Sequence, residues 1–145
     1  MRILIDADGC PVVDLTLSIA RRRGVECLIL CDTSHVFEKP GAATLTVSKG
    51  ADSVDFALVN LLRPGDIAVT QDHGLAAMCL ARRARALDQN GMEYTSGNID
   101  ALLLARHTFQ KISRAGGRLK GPARRRPDQD RAFAATLERL LDEPP

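Results

Sequence analysis

The chain has 145 residues, 45% of them hydrophobic, and a formal net charge of +2, which suits one folded domain and excludes a disordered chain. Four Phe, one Tyr and no Trp are too few for binding that depends mainly on base stacking. No apolar run approaches the roughly 20 residues of a membrane span and no signal peptide is visible, so we expect no membrane association and a cytoplasmic location.

The first predicted element is a buried strand that ends in two acids. Residues 3–5 (Ile-Leu-Ile) form a continuous apolar run, which is typical of a strand covered on both faces. Asp6 ends this run, and Asp8 follows two residues later. A helix is predicted over 11–23, because the missing N–H of Pro11 costs nothing in a first helical turn.

Strands and helices then alternate to the end of the chain. The further predicted strands cover 25–31, 44–47 and 67–70, with a short edge strand at 86–87, and the further helices cover 52–62, 75–83, 99–114 and 127–141. This alternation predicts an α/β fold with a largely parallel sheet and right-handed crossovers. If the strand at 67–70 lies beside the first strand, on the side away from the second, a ligand crevice opens between them.

Acidic residues cluster at that predicted crevice. Asp72 follows the strand at 67–70, as Asp6 and Asp8 follow the first strand. Asp52 and Asp55 share a face in the first turn of the helix at 52–62, although acids there can simply stabilise the helix dipole. Converging carboxylates repel one another unless they are protonated or bridged by a cation.

An oxygen-only ligand set suits Mg²⁺ or Mn²⁺, ions that activate water and stabilise charge on a phosphate. The cluster therefore predicts a metal-dependent phosphodiesterase or nuclease. We expect catalytic roles for Asp6, Asp8 and Asp72, and metal ligation by these three together with Asp52 and Asp55.

Basic residues concentrate in the C-terminal segment, residues 106–145, which carries a net charge of +5 against −3 for residues 1–105. A glycine-rich basic loop at 115–123 could bring backbone N–H groups to phosphate oxygens. This pattern indicates a polyanionic partner, with a solvated tail as the alternative. The candidate nucleic-acid contacts are Lys49, Arg118, Lys120, Arg124, Arg125 and Arg126.

The four cysteines contain no CxxC pair, so they predict buried free thiols rather than a zinc site. Cys10 stands near a helix start, where a thiol pKa can be lowered, but a structural role is favoured. His35 lies in the predicted loop at 32–43 and is expected to be solvated unless that loop turns back over the carboxylates.

Five linked motifs resemble those of the YaiI/YqxD family of uncharacterised bacterial proteins. They are DADGCP at 6–11, GADSVD at 50–55, GDIAVTQD at 65–72, GP at 121–122 and DRAF at 130–133, and the similarity covers nearly the whole chain. That family is grouped with PIN-like folds, whose typical members are metal-dependent ribonucleases. The resemblance implies a single PIN-like domain over 1–145, a three-layer α/β/α sandwich with an acidic metal site and RNA as partner.

By position in this resemblance, Asp6 and Asp8 match the first-strand acids of the PIN-like pattern. Asp52 or Asp55 matches its helical acid, and Asp72 matches its fourth-strand acid. Asp130 falls in the C-terminal motif, where we expect it to cap a helix or form a salt bridge.

Two other functions remain open from the sequence. Residues 6–9 (DADG) also resemble the first motif of haloacid dehalogenase-type phosphatases, with Asp6 as nucleophile, although Cys10 replaces the usual Thr or Val. A non-catalytic RNA- or ribosome-associated module would use the basic segment and need no catalysis.

Overall fold

The computed structural model describes residues 1–32, 39–47, 53–105 and 124–143, which form six strands and five helices. The strands are β1 (Arg2–Asp6), β2 (Glu26–Asp32), β3 (Ala43–Val47), β4 (Ile67–Val69), β5 (Arg85–Leu87) and β6 (Glu93–Tyr94). The helices are α1 (Val13–Arg23), α2 (Ser53–Leu61), α3 (His73–Ala81), α4 (described over 99–105) and α5 (Pro127–Asp142). None of the helices in these ranges is both long and apolar enough to cross a membrane.

The strands form one sheet in the order β3-β2-β1-β4-β5-β6. All neighbours are parallel except β5 and β6. In the centre, Ile3 of β1 is in register with Cys27 of β2 on one side and with Ile67 of β4 on the other. The α/β class, the mainly parallel sheet and the position of the fourth strand beside the first are therefore confirmed.

The β5 strand is not the edge strand that the sequence predicted. It lies between β4 and β6, and β6 pairs with it antiparallel through Ala86–Tyr94 and Leu87–Glu93. A two-residue strand such as β6 has no periodicity of its own to detect. It forms because the turn at 88–91 folds the chain back onto β5, where backbone pairing becomes possible.

Alternating side chains of β1 face two separate cores. Ile3 and Ile5 pack with residues of α1 and α5 on one face of the sheet. Leu4, between them, packs with residues of α2, α3 and α4 on the other. All three side chains are completely buried, which explains the continuous apolar run. The result is the three-layer α/β/α arrangement that the family resemblance implied.

Local signals shift two predicted helix boundaries. The helix predicted from residue 11 begins at Val13, because Pro11 lies in the preceding turn. The helix predicted from residue 75 begins at His73, because the Asp72 side chain caps it. It ends at Ala81, and Arg83 follows with a left-handed φ of 63°. The predicted N-terminus of α5 at Pro127 is confirmed.

Candidate functional site

An open cleft of about 550 Å³ lies at the carboxyl ends of β1 and β4. These two strands are neighbours at the point where the strand order reverses, which is where open α/β sheets bind ligands. The residues described along its lining are Asp6, Asp8, Gly9, Gln71, Asp72 and His73. The cleft therefore brings together the three acids that the sequence placed at these strand ends.

Thr70 joins the two strand ends at the base of the cleft. Its hydroxyl donates a hydrogen bond to Asp6 Oδ2 (2.8 Å) and accepts one from the backbone N–H of Asp72 (3.0 Å). The Thr70 carbonyl accepts a hydrogen bond from the buried Tyr94 hydroxyl (3.0 Å). Because Thr70 itself is buried, this network holds Asp6 and Asp72 in a defined arrangement.

The other two carboxylates are also positioned by backbone groups. Asp72 Oδ1 accepts a hydrogen bond from the N–H of Leu75 (3.1 Å) and so caps α3. Asp8 Oδ2 accepts one from the N–H of Asp32 at the end of β2 (3.0 Å). Each acid is thus held by a different neighbouring element, and the cleft is built from β1, β2, β4 and α3 together.

Burial raises the pKa of the Asp6 carboxyl above its ordinary value. The hydrogen bond from Thr70 lowers the pKa and so opposes the effect of burial, and the negative charges of Asp72 and Asp8 raise it. The ionised form of Asp6 is therefore less stable in the folded protein than in water. A carboxylate whose ionised form is destabilised in this way is typical of a site that binds a proton or a cation.

We expect Asp6→Asn to stabilise the cation-free protein at neutral pH. Folding raises the pKa of Asp6, so the carboxyl favours the folded state when it is protonated. This contribution to the free energy of unfolding is fully present below pH 3.8, the pKa in the unfolded chain, and is lost as the pH rises through the pKa of the folded protein. Asparagine stays neutral and can still accept the Thr70 hydrogen bond. Its advantage in free energy of unfolding should shrink as pH falls toward about 4, which urea denaturation measures. A wild type more stable than the variant at pH 7 would contradict this.

His73 lines the cleft beside the three acids, and the sequence pattern did not single it out. Its Nδ1 lies 3.2 Å from the carbonyl oxygen of Leu102 in α4, and its ring meets Tyr94 edge-on at 5.8 Å between centroids. Since a carbonyl can only accept, Nδ1 carries a proton, and Nε2 is the nitrogen that accepts a proton or a cation in the neutral ring. The one signal in the sequence that could have identified His73 as a site residue is its position directly after Asp72.

Only one of the two predicted helical acids, Asp55, can be located relative to the cleft. Asp52 lies outside the described residues. Asp55 lies in the first turn of α2 and is not among the described residues that line the cleft. Its charge, with that of Asp6, adds to the burial that raises the pKa of the Cys79 thiol to about 12. Metal ligation by Asp52 and Asp55 stays a prediction.

Three of the predicted nucleic-acid contacts, Lys49, Arg118 and Lys120, lie outside the described residues. Arg124 is exposed. The other two arginines form ion pairs, with 2.7 Å between Arg125 Nε and Asp130 Oδ1 and 3.0 Å between Arg126 Nε and Asp128 Oδ1. The salt bridge expected for Asp130 is confirmed, and contact with nucleic acid by these arginines stays a prediction.

The cysteines are free thiols, as the sequence predicted, with Cys27, Cys31 and Cys79 buried and Cys10 half-buried. Burial raises the pKa of the Cys10 thiol, which is the opposite of the lowering considered for a helix start. It also raises the pKa of Cys27 to about 12. A raised pKa keeps a thiol in its protonated, less reactive form, so these cysteines are better suited to structural roles. His35 lies outside the described residues.

Comparisons with known proteins identify relatives along the whole chain. A family model described as "Uncharacterized BCR, YaiI/YqxD family" matches residues 4–143. A UPF0178 protein of Exiguobacterium sibiricum is 55% identical, over 99% of this chain and 98% of its own. UPF0178 proteins of Ruminiclostridium cellulolyticum (46% identical, 94% and 90%) and Clostridium acetobutylicum (41%, 97% of each) also match. No solved structure matches significantly, and the PIN-like grouping stays a prediction.

Proposed function

The chain belongs to the YaiI/YqxD family, and from its acidic cleft we propose that it is a Mg²⁺- or Mn²⁺-dependent nuclease that hydrolyses phosphodiester bonds. The observation that carries the proposal is the meeting of Asp6, Asp8 and Asp72 at one strand edge. RNA is the favoured substrate, because the sequence resembles a family grouped with PIN-like ribonucleases.

The donor chemistry of the cleft fits a hard divalent cation. Asp6, Asp8 and Asp72 offer carboxylate oxygens. Burial raises the pKa of Asp6 and the nearby charges of Asp72 and Asp8 add to this, so a bound cation would stabilise the ionised carboxylate. Within the described part of the chain, no three acidic, histidine or cysteine side chains already stand close enough to hold a metal ion. Mg²⁺ usually keeps several waters and takes one or two carboxylates plus oxygens of a phosphate substrate, so the proposal requires the substrate to complete the coordination of the cation.

When bound, such a cation activates water and stabilises the charge that develops on the phosphate. The residues of the chain supply orientation and proton transfer. Thr70 fixes the rotamer of Asp6, and the cap on α3 fixes Asp72. The Nε2 of His73, set by its Nδ1–H bond to Leu102, can pass a proton to or from a reacting oxygen at the cleft.

A Mn²⁺ titration with two readouts tests this function. We expect Mn²⁺ to raise the melting temperature of the wild type by mass action, and to support cleavage of RNA in a panel of structured and single-stranded RNA and DNA. Asp6→Asn and Asp72→Asn should lose the Mn²⁺ shift and lower cleavage on the order of 100-fold or more. Asparagine retains the helix cap at position 72, so this loss is not expected to come from unfolding.

Asp14→Asn is the matched control, because Asp14 is an exposed acid on α1 that pairs with Lys39. It should leave both readouts unchanged. Failure of the wild type to cleave any member of the panel with Mn²⁺ or Mg²⁺ would overturn the proposal. RNA binding that Asp6→Asn leaves intact would then support the binding module, and fluoroberyllate inhibition of phosphomonoester hydrolysis would support the phosphatase with Asp6 as nucleophile.

A further inference from the structure

A second groove, of about 400 Å³, adjoins the acidic cleft. The two share Gly9 and Gln71 in their linings. The side-chain amide of Gln71 donates a hydrogen bond to the carbonyl of Gly9 (2.8 Å), so this contact forms the divide between them. A ligand that extends across Gln71 would occupy both spaces.

Side-chain amides dominate the second groove. They come from three separate elements: Gln71 follows β4, Gln89 and Asn90 lie in the turn between β5 and β6, and Gln129 lies in the first turn of α5. No aromatic side chain is among the described lining residues. The groove therefore offers hydrogen-bond donors and acceptors in place of a stacking surface.

Arg125 is the one charged side chain among the described lining residues, and its charge is already compensated. Its Nε lies 2.7 Å from Asp130 Oδ1, its Nη1 donates to Asn90 Oδ1 (2.9 Å), and its Nη2 donates to the carbonyl of Gln89 (2.7 Å). These bonds tie the turn at 88–91 to α5 and hold the groove wall in place. An ion-paired, immobilised guanidinium suits a neutral polar ligand better than a phosphate.

Gln89, which lines this groove, has a side-chain oxygen that is left unpaired. Its Oε1 is buried and makes no hydrogen bond with any part of the chain that the structure describes. Buried side-chain oxygens are nearly always paired in native proteins, because an unpaired one costs free energy. A partner for Oε1 must donate an N–H or O–H.

We propose that the amide groove binds a nucleobase next to the phosphodiester in the acidic cleft, recognised by hydrogen bonds along its edge rather than by stacking. A nucleobase is neutral and planar and carries N–H donors beside acceptors, which is the pattern that Gln and Asn amides match. The proposal rests on the proposed function, since the base is part of the same nucleic-acid substrate. Gln89 is then a residue that determines sequence preference.

Nuclear magnetic resonance titration of the full chain with uncharged nucleosides tests the groove without involving the acidic cleft. The probes are adenosine, cytidine and uridine, with ribose as the control that lacks a base. We expect at least one nucleoside, and not ribose, to shift the signals of residues 89–91 and 125–129 saturably. Gln89→Leu should raise the Kd of that nucleoside about tenfold, the equivalent of one well-formed hydrogen bond.

Gln89→Leu is expected to fold normally, because leucine removes no hydrogen bond from the Oε1 position and the Gln89 carbonyl can still accept from Arg125. The control Asn60→Ala changes an exposed amide on α2, on the opposite face of the sheet, and should leave the Kd unchanged. The proposal is overturned if no nucleoside shifts these signals, if ribose shifts them equally, or if Gln89→Leu binds as tightly as the wild type.

The Mn²⁺ melting shift, measured on the same samples, separates this proposal from the proposed function. If Mn²⁺ raises the melting temperature as expected but no nucleoside binds, the proposed base site is overturned and the nuclease proposal stands. If Gln89→Leu weakens nucleoside binding but the protein shows no Mn²⁺ response and no cleavage, the base site is supported and the nuclease proposal is overturned.

Discussion

Asp66→Ala is expected to lower the free energy of unfolding by about 3–5 kcal/mol, the range for removing one partner of a buried ion pair. Asp66 and Arg2 are both buried, with 2.8 Å between Arg2 Nη2 and Asp66 Oδ2. Asp66 also accepts hydrogen bonds from the backbone N–H groups of Arg2 (3.0 Å) and Arg63 (2.9 Å). Alanine would leave the guanidinium of Arg2 buried without its counter-charge, which urea denaturation measures directly.

Two further variants identify the cause of that loss. Asp14→Ala removes an acid that is 80% exposed and paired with Lys39, so it should change stability by no more than about 1 kcal/mol. The double variant Arg2→Met with Asp66→Leu removes both buried charges and should recover part of the loss. If Asp66→Ala costs no more than Asp14→Ala, the ion pair does not contribute as the structure indicates.

Gly91→Ala is the second change with a large expected effect, a loss of about 3 kcal/mol in the free energy of unfolding. Gly91 has a φ of 86°, and an added Cβ would lie 2.4 Å from the carbonyl oxygen of Ala132 in α5. Backbone atoms cannot rotate away as a side chain can. The turn at 88–91 would have to move off α5, weakening the 2.6 Å hydrogen bond from Thr136 Oγ1 to the Gly91 carbonyl.

Gly24→Ala is the matched control, because it separates backbone conformation from steric contact. Gly24 has a φ of 65°, but an added Cβ would meet nothing within 4 Å. Its replacement should cost about 1 kcal/mol, from the left-handed conformation alone. Equal losses for the two glycines in urea denaturation would mean that the close approach of α5 to Gly91 has no energetic weight.

The central layer and the main acids of the cleft could be predicted from local pattern. A continuous apolar run predicts a strand buried on both faces, and β1 is such a strand. Asp6 and Asp72 could be assigned to one edge because parallel strands end on the same side of a sheet. Residues 33–38, 48–52 and 106–123 carry several other predicted site residues, and those predictions fall outside the described ranges.

Contacts between distant residues were not available from local pattern. His73 is oriented by Leu102, which is 29 residues away, and Arg125 by Asn90, which is 35 residues away. Neither pairing follows from spacing or residue type, because hydrogen bonds between separate elements depend on how those elements pack.

Composition and periodicity by themselves determined the α/β class, the buried central strand and the presence of acids at two strand ends. Those features follow from burial and backbone pairing, which act on neighbouring residues and so leave a repeating pattern in the chain. The tertiary structure alone decided that β6 exists, that His73 joins the cleft and that an amide groove lies beside it. β6 is too short to have a pattern of its own, and the other two features depend on segments that are far apart in the chain and meet only after the elements have packed, so no local pattern records them.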